Sequence, residues 1–364
     1  MVNGVNLYLD QIKHSMAGRR VELLVENDGS NPATAVSKFK KLAEQDKVCV
    51  VDGFLLSHIG AAAANCSDQF KMPTVLACAA DDELTQRKSF SWMIRTGWSA
   101  SQPLLPFGEW VYKKLGYRRV AVLACDYSMG WDCVGGFQKT FEEAGGKVVQ
   151  KIWVPLGFRE FSSYLGQLRT DVDAVFILAA NGPTEYIIKQ YHQKGINRPI
   201  IGGGPTFDES TLEHVGKDAV GAINAMEYSP MLATPINKAF VAAYRAKFQK
   251  VPSHLSEFGY ASAMWIHKAV DLVHGNVEDK TKFMAALKNV GQINAPRGPI
   301  RLDSYNNPIE NIYVRRVDMV DGEAVNTVIH TFPMVSQFYK YKPEQYLSNP
   351  AFSKEYPPCR YCNP

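Results

Sequence analysis

The chain has 364 residues, too many for one small core and enough for two domains of ordinary size. At 46% hydrophobic and 21% charged residues it is globular in composition, which sets aside an intrinsically disordered chain. The net charge of +4 comes with scattered basic residues, which argues against nucleic acid as a partner, and no apolar run approaches the ~20 residues of a membrane-spanning helix.

In chain order, Val5, Leu9 and Ile12 share one helical face, so the chain opens on an amphipathic helix. The run 21–25 reads as the first strand. A lobe of alternating strands and helices normally starts with a strand, so the pattern predicts a missing first strand and a trimmed N-terminus that would hide any export signal. There follow a helix over 33–45, a strand over 48–51, a helix over 59–65 and strands over 74–77 and 91–95. Lys38-Phe39-Lys40-Lys41 reads as the solvated face of the first of these helices. A second series runs helix 103–115, strand 119–125, helix 134–144, strand 147–154, helix 161–169, strand 174–178, helix 184–194, strand 199–201, helix 209–215 and strand 222–226. Such alternation predicts βαβ units and parallel sheets. Helices over 237–249, 257–274 and 280–289 come next, then a strand over 299–303 and a hairpin within 312–332 that turns at Val320-Asp321-Gly322-Glu323. The pattern predicts an α/β protein of two lobes sharing the chain: 1–98 with 231–309, and 99–230 with 310–364. Three crossings are expected, near 97–102, 227–231 and 307–311.

Seven cysteines stand at 49, 66, 78, 125, 133, 359 and 362. The odd number rules out complete pairing within the chain. Cys49 and Cys78 fall inside apolar strands and read as small hydrophobes. Cys359-Arg360-Tyr361-Cys362 lacks the two further ligands that zinc requires, so no metal is expected. A tail disulfide fits better, within this pair or to Cys125 or Cys133, and suits an oxidising compartment. No P-loop, G-x-G-x-x-G, H-E-x-x-H or G-x-S-x-G occurs, so neither a cofactor nor an enzyme activity is expected.

The most telling stretch is Gly53-Phe54-Leu55-Leu56-Ser57-His58, which joins a buried strand to a helix of small residues. The next strand ends at Cys78-Ala79-Ala80-Asp81-Asp82. Ligands bind at strand C-termini in open parallel sheets, and helix N-termini favour anions. Free N–H groups and a serine hydroxyl at two adjacent strand ends read as a carboxylate-holding site. Ser57 also suits the N-cap of helix 59–65, a role compatible with carboxylate binding. Asp81, Asp82 and Glu83 suit a helix start, and Arg95 an internal ion pair.

Taken together, the chain resembles the type I periplasmic solute-binding proteins of the branched-chain amino acid transporter family. The marks are Gly4-Val5-Asn6-Leu7-Tyr8-Leu9, Asp28 with Asn31-Pro32, Gly53 through Ser57, Glu83-Leu84-Thr85-Gln86-Arg87, Ile94-Arg95-Thr96 with Ser101-Gln102, Asp126 through Gly130, Phe161-Ser162 and Gly259-Tyr260-Ala261. The resemblance implies a monomeric two-lobed clamp in the periplasm, or lipid-anchored outside the cell, that closes on a small solute and docks on ABC permease subunits. A sensor or regulator of the same fold is the alternative.

Carried over residue by residue, the resemblance places the carboxylate on Ser57 and on the N–H groups of Ala79 and Ala80. Partners for an α-ammonium are sparse: Ala80, Ser99 and Gly204 stand where such groups are sought, leaving Glu185, Asp208 and Glu257. An unpaired buried ammonium costs several kcal/mol. Trp98, Tyr127, Met129, Phe207 and Phe258 offer apolar walls instead, with Asn181 and His58 for a ring substituent or the acid. The expected ligand is therefore an aromatic or bulky apolar carboxylate, with a branched-chain or other amino acid as the alternative.

Overall fold

In the computed structural model, residues 1–179 and 184–362 are described. The chain divides into two compact units, Met1–Ser99 with Ala233–Asn311, and Ala100–Leu232 with Ile312–Pro364.

The first unit opens on helix α1 (Val2–Gln11), followed by a small antiparallel pair, β1 (Ser15–Met16) and β2 (Arg19–Arg20). Residues 21–28, expected to contain a strand, form none. A strand exists only where a neighbour completes its ladder, and this apolar run has none beside it. Helix α2 (Pro32–Lys40) starts where the Asn31 side chain accepts the Thr34 N–H, with proline in the first turn. It continues as a wider turn over Lys41–Gln45. Strand β3 (Val51–Gly53), helix α3 (Ser57–Phe70), strand β4 (Thr74–Leu76) and strand β5 (Met93–Arg95) follow. The three strands pair in parallel in the order β3-β4-β5. Helix α3 begins two residues earlier than expected, and Lys71 ends it in the left-handed conformation.

The second unit carries α4 (Leu104–Trp110), β6 (Arg119–Cys125), α5 (Ser128–Glu143), β7 (Lys147–Val154), the single turn α6 (Ser162–Leu165), β8 (Ala174–Leu178), α7 (Thr184–Gln193), β9 (Ile200–Gly203), α8 (Glu209–Val215) and β10 (Ile223–Met226). Helix α5 starts six residues before the expected 134, because Gly130, Gly135 and Gly136 mask helical pattern in the sequence. The helix expected over 161–169 stops at Gly166.

The chain returns to the first unit for α9 (Pro235–Phe248), α10 (His254–Leu272), α11 (Lys280–Lys288), β11 (Gln292–Ala295) and β12 (Gly298–Leu302). Strand β13 (Pro308–Val320) begins there, antiparallel to β12, and ends in the second unit. In the second unit β13 pairs with β10 and with β14 (Glu323–Val335), giving the order β13-β10-β9-β8-β6-β7. Helix α12 (Pro343–Leu347) precedes a tail in which Cys359 and Cys362 are bonded to each other. Cys125 and Cys133 are buried free thiols, which settles the tail pairing.

Leu9, Val75, Ile94, Trp265, Phe283 and Leu287 centre the core of the first unit. Ala121, Leu123, Val175, Ile177, Ile188 and Phe207 centre that of the second. Among the described residues, no helix is long and apolar enough to cross a membrane.

Candidate functional site

The C-terminal ends of β3, β4 and β5 lie side by side in the first unit, and their loops interlock. Gly53 takes a positive φ of 132° and Phe54 one of 66°, which turns the chain sharply after β3. The carbonyls of Gly53 and Phe54 then accept the N–H groups of Ala77 (3.0 Å) and Ala79 (2.8 Å). A Cβ on Gly60 would stand 2.3 Å from that of Ala79, so the first turn of α3 rests directly on the β4 loop. The Trp98 indole N–H donates to the Cys78 carbonyl (3.1 Å) and fixes the same loop from the β5 side.

This packing decides which expected donors are open. Ser57 is the first residue of α3 and not its N-cap; that position falls to Leu56, whose side chain cannot cap. The N–H groups of Ser57, His58 and Ile59 therefore have no partner among the described residues, and neither does the Ser57 hydroxyl. Ala80 also keeps its N–H unpaired among the described residues, whereas the Ala79 N–H is spent on Phe54. That is a correction to the expected pair of alanine donors. Uncapped amides at the start of a 14-residue helix carry the positive end of the helix dipole. Nearby carboxylates are otherwise engaged: Asp81 accepts the Glu83 N–H (2.9 Å), and Asp82 is buried.

The other expected residues separate. His58 is exposed in the first turn of α3. Trp98, Ser99 and Phe258 are buried in the first unit. Phe258 lies under the guanidinium of Arg297, 5.2 Å from its ring centre. In the second unit, the Tyr127 hydroxyl contacts the Met129 sulfur (3.2 Å) where α5 starts uncapped. Phe207 is completely buried in the core of that unit. Asn181 lies outside the described residues.

Sequence reasoning missed two buried arginines. Arg297 bonds Glu257 (2.5 Å) and Glu310 (2.7 Å), with all three side chains completely buried, and also donates to the Thr96 carbonyl. It thereby holds the chain just after β5 and accounts for Glu257, one of the candidate ammonium partners. Burial pushes the Glu257 carboxyl up, against the pull of Arg297. Asp208 caps α8 through Ser210, which engages a second candidate. Arg95 donates to the Asp81 carbonyl (2.5 Å) and to Asn307 (3.3 Å). In the second unit, Arg315 donates to Asn224 (2.8 Å) and to the Tyr228 carbonyl (2.6 Å). The only sequence signal for either was an arginine in an apolar neighbourhood.

The chain thus folds as two α/β units, each with a parallel sheet whose strands feed helices. Residues 1–324 match the periplasmic binding protein family, and the chain belongs to it. The family is one of solute-binding proteins, not enzymes. A solute-binding protein of an ABC transporter from Rhodopseudomonas palustris BisB5, solved with 3,4-dihydroxybenzoic acid, is 30% identical at a TM-score of 0.87, over 92% of each chain. Another from R. palustris, solved with 4-hydroxybenzoate, is 26% identical with the same TM-score, over 93% of each chain. A protein of Brucella abortus named Leu/Ile/Val-binding protein homolog 6 is 26% identical over 90% of this chain and 86% of its own.

Proposed function

We propose that this protein is the extracytoplasmic substrate-binding component of an ABC importer, and that its solute is a small carboxylate with an aromatic or bulky apolar body. The observation that carries the reading is the set of open donors at the start of α3. The Ser57 hydroxyl, the first-turn amides and the Ala80 N–H belong to two loops that hydrogen bonds from Ala77 and Ala79 to Gly53 and Phe54 tie together. A carboxylate there satisfies donors that have no partner among the described residues, and it meets the positive end of the helix dipole.

The sparse supply of ammonium partners supports an acid that is not an α-amino acid. Glu257 is committed to Arg297 and Asp208 to a helix cap. Solved relatives that hold hydroxylated benzoic acids support an aromatic body. The protein works as a monomer in the periplasm, or anchored by lipid outside the cell, and delivers its solute to permease subunits.

Calorimetry with 4-hydroxybenzoate, benzoate and leucine tests this. The aromatic acids are expected to bind, and their methyl esters to bind far more weakly, because the donors would be left unpaired. Ser57→Ala is expected to weaken binding by roughly 1–2 kcal/mol, the usual loss of a hydrogen bond to a charged group. Equal affinity for acid and ester would sink the carboxylate site. A second reading, an amino acid receptor, is favoured by the Brucella relative's name and by Glu185 in the first turn of α7. Micromolar binding of leucine with the aromatic acids silent would establish it.

A further inference from the structure

Two buried side chains grip the loop after β4 at points on either side of Ala80. Arg95, the last residue of β5, is completely buried. Its guanidinium donates to the Asp81 carbonyl (2.5 Å) and to the Asn307 side chain (3.3 Å), and its own N–H donates to the Asn306 carbonyl (2.9 Å). Asn307 is held in turn: its Oδ1 also accepts the Thr85 hydroxyl (3.0 Å), and its N–H donates to the Asp303 carboxylate (3.0 Å). The second grip is the Trp98 indole N–H on the Cys78 carbonyl (3.1 Å).

A peptide group is planar, and in the trans form its C=O and N–H point in opposite directions, so a bond at either end orients both. The peptide joining Cys78 to Ala79 is fixed at both ends, by Trp98 and by the Phe54 carbonyl that accepts the Ala79 N–H (2.8 Å). The peptide joining Asp81 to Asp82 is fixed through its carbonyl, which takes the Arg95 guanidinium and the Leu84 N–H (3.3 Å). Between these anchors lie only the two peptides that flank Ala80, and the N–H of the first is the open donor. Ala80 is buried, at 3% exposure. A buried N–H without a partner is costly, and a charged acceptor removes that cost.

We propose that Arg95 is a positioning residue of the carboxylate site. Without touching the solute, it holds the Asp81 carbonyl, sets the direction of the Ala80 N–H, and so sets the preference for an acid over a neutral ligand. The proposal rests on the carboxylate reading above. A guanidinium suits the role because its donors lie in one rigid plane, so a single side chain grips the loop carbonyl and Asn307 together. A lysine ammonium keeps the charge and loses the fork. A donor already aimed at its acceptor binds a carboxylate without the cost of ordering the loop first.

The test combines calorimetry with two-dimensional amide NMR spectra of the whole protein, using 4-hydroxybenzoate and its methyl ester. In the parent, the acid is expected to move the Ala80 amide proton downfield. Arg95→Lys is expected to lower the acid-to-ester affinity ratio roughly tenfold, the loss of one hydrogen bond to a charged group. It should also shrink the Ala80 shift while those of Ser57 and His58 persist, and Arg95→Gln should do more of both. A parent that binds neither benzoate nor 4-hydroxybenzoate would overturn the carboxylate reading and this proposal together. A parent that binds the acid with no shift at Ala80 would overturn the positioning role alone, whether or not the variants fold. So would an Arg95→Lys protein that melts at a lower temperature yet keeps the parent's ratio and Ala80 shift, since Arg95 would then serve stability only.

Discussion

Strands β3 and β6 each feed a loop and a helix, yet β6 is seven residues long and β3 only three. Strand β6 lies between β7 and β8 and is laddered on both edges. Among the described residues, strand β3 pairs with β4 alone. Apolarity brings a segment into the interior, but the neighbour on each edge decides how much of it becomes a strand. The first unit holds itself together differently, through helix packing around Trp265 and a buried Arg297–Glu257–Glu310 cluster.

The largest expected consequence is in hydrogen exchange. The Leu123 amide should exchange only through opening of the whole second unit, and the Asp52 amide orders of magnitude faster. Comparable rates would break the comparison. Next in size is Arg297→Met, which strands two buried carboxylates and is expected to cost about 3–5 kcal/mol. Adding Glu257→Gln and Glu310→Gln should recover most of that loss. Urea unfolding followed separately in each unit checks both, and loss confined to the second unit would contradict the assignment. Val122→Ala, at the centre of the laddered sheet, is expected to cost roughly 2 kcal/mol, and Val50→Ala, just before β3, less than about 1 kcal/mol. Equal costs would mean that the two edges of β3 are equally well packed.

The smallest effect concerns pH. Burial raises the Asp52 carboxyl from its ordinary 3.8 to about 7, and the bond from Ser262 opposes the rise. The native state thus holds this proton longer than the unfolded chain. The stability it contributes is full below the unfolded value and is lost as pH rises through about 7. Asp52→Asn escapes that loss, so its stability relative to the parent should grow by roughly 1–2 kcal/mol between pH 5 and pH 8. Melting curves at the two pH values measure the difference, and an unchanged gap would place Asp52 in ordinary solvent.

The contrast between the units also explains what the sequence made legible. In the second unit the strands over 119–125, 147–154 and 174–178 match the sequence reading residue for residue, because each is rich in apolar and β-branched residues and has a partner strand on hand. In the first unit the same reading placed a strand over 21–25 that does not form, since a pattern of side chains says nothing about whether the neighbouring strand is present. At the site, the Gly53–Ser57 loop and the start of α3 were readable from glycine, serine and the run of small residues. The engagement of the Ala79 N–H was not, because it depends on the left-handed Phe54, a residue type that rarely adopts that conformation. Phe207 illustrates a further limit: an aromatic residue after a strand end fits a wall or a core equally well, and only packing tells them apart. Arg297 was invisible because its two carboxylate partners are 40 and 13 residues away in sequence.

Cys49, just before β3, is exposed, whereas Cys66, Cys78, Cys125 and Cys133 are buried and the remaining two cysteines are bonded to each other. Among the described residues, Cys49 is therefore the accessible point for thiol chemistry. A maleimide dye would attach there without any engineered substitution, and its emission would track the polarity of that one surface. The fluorescence of such a conjugate turns an unpaired sheet edge into an optical reporter, sensitive to whatever approaches it and silent toward events in the other unit.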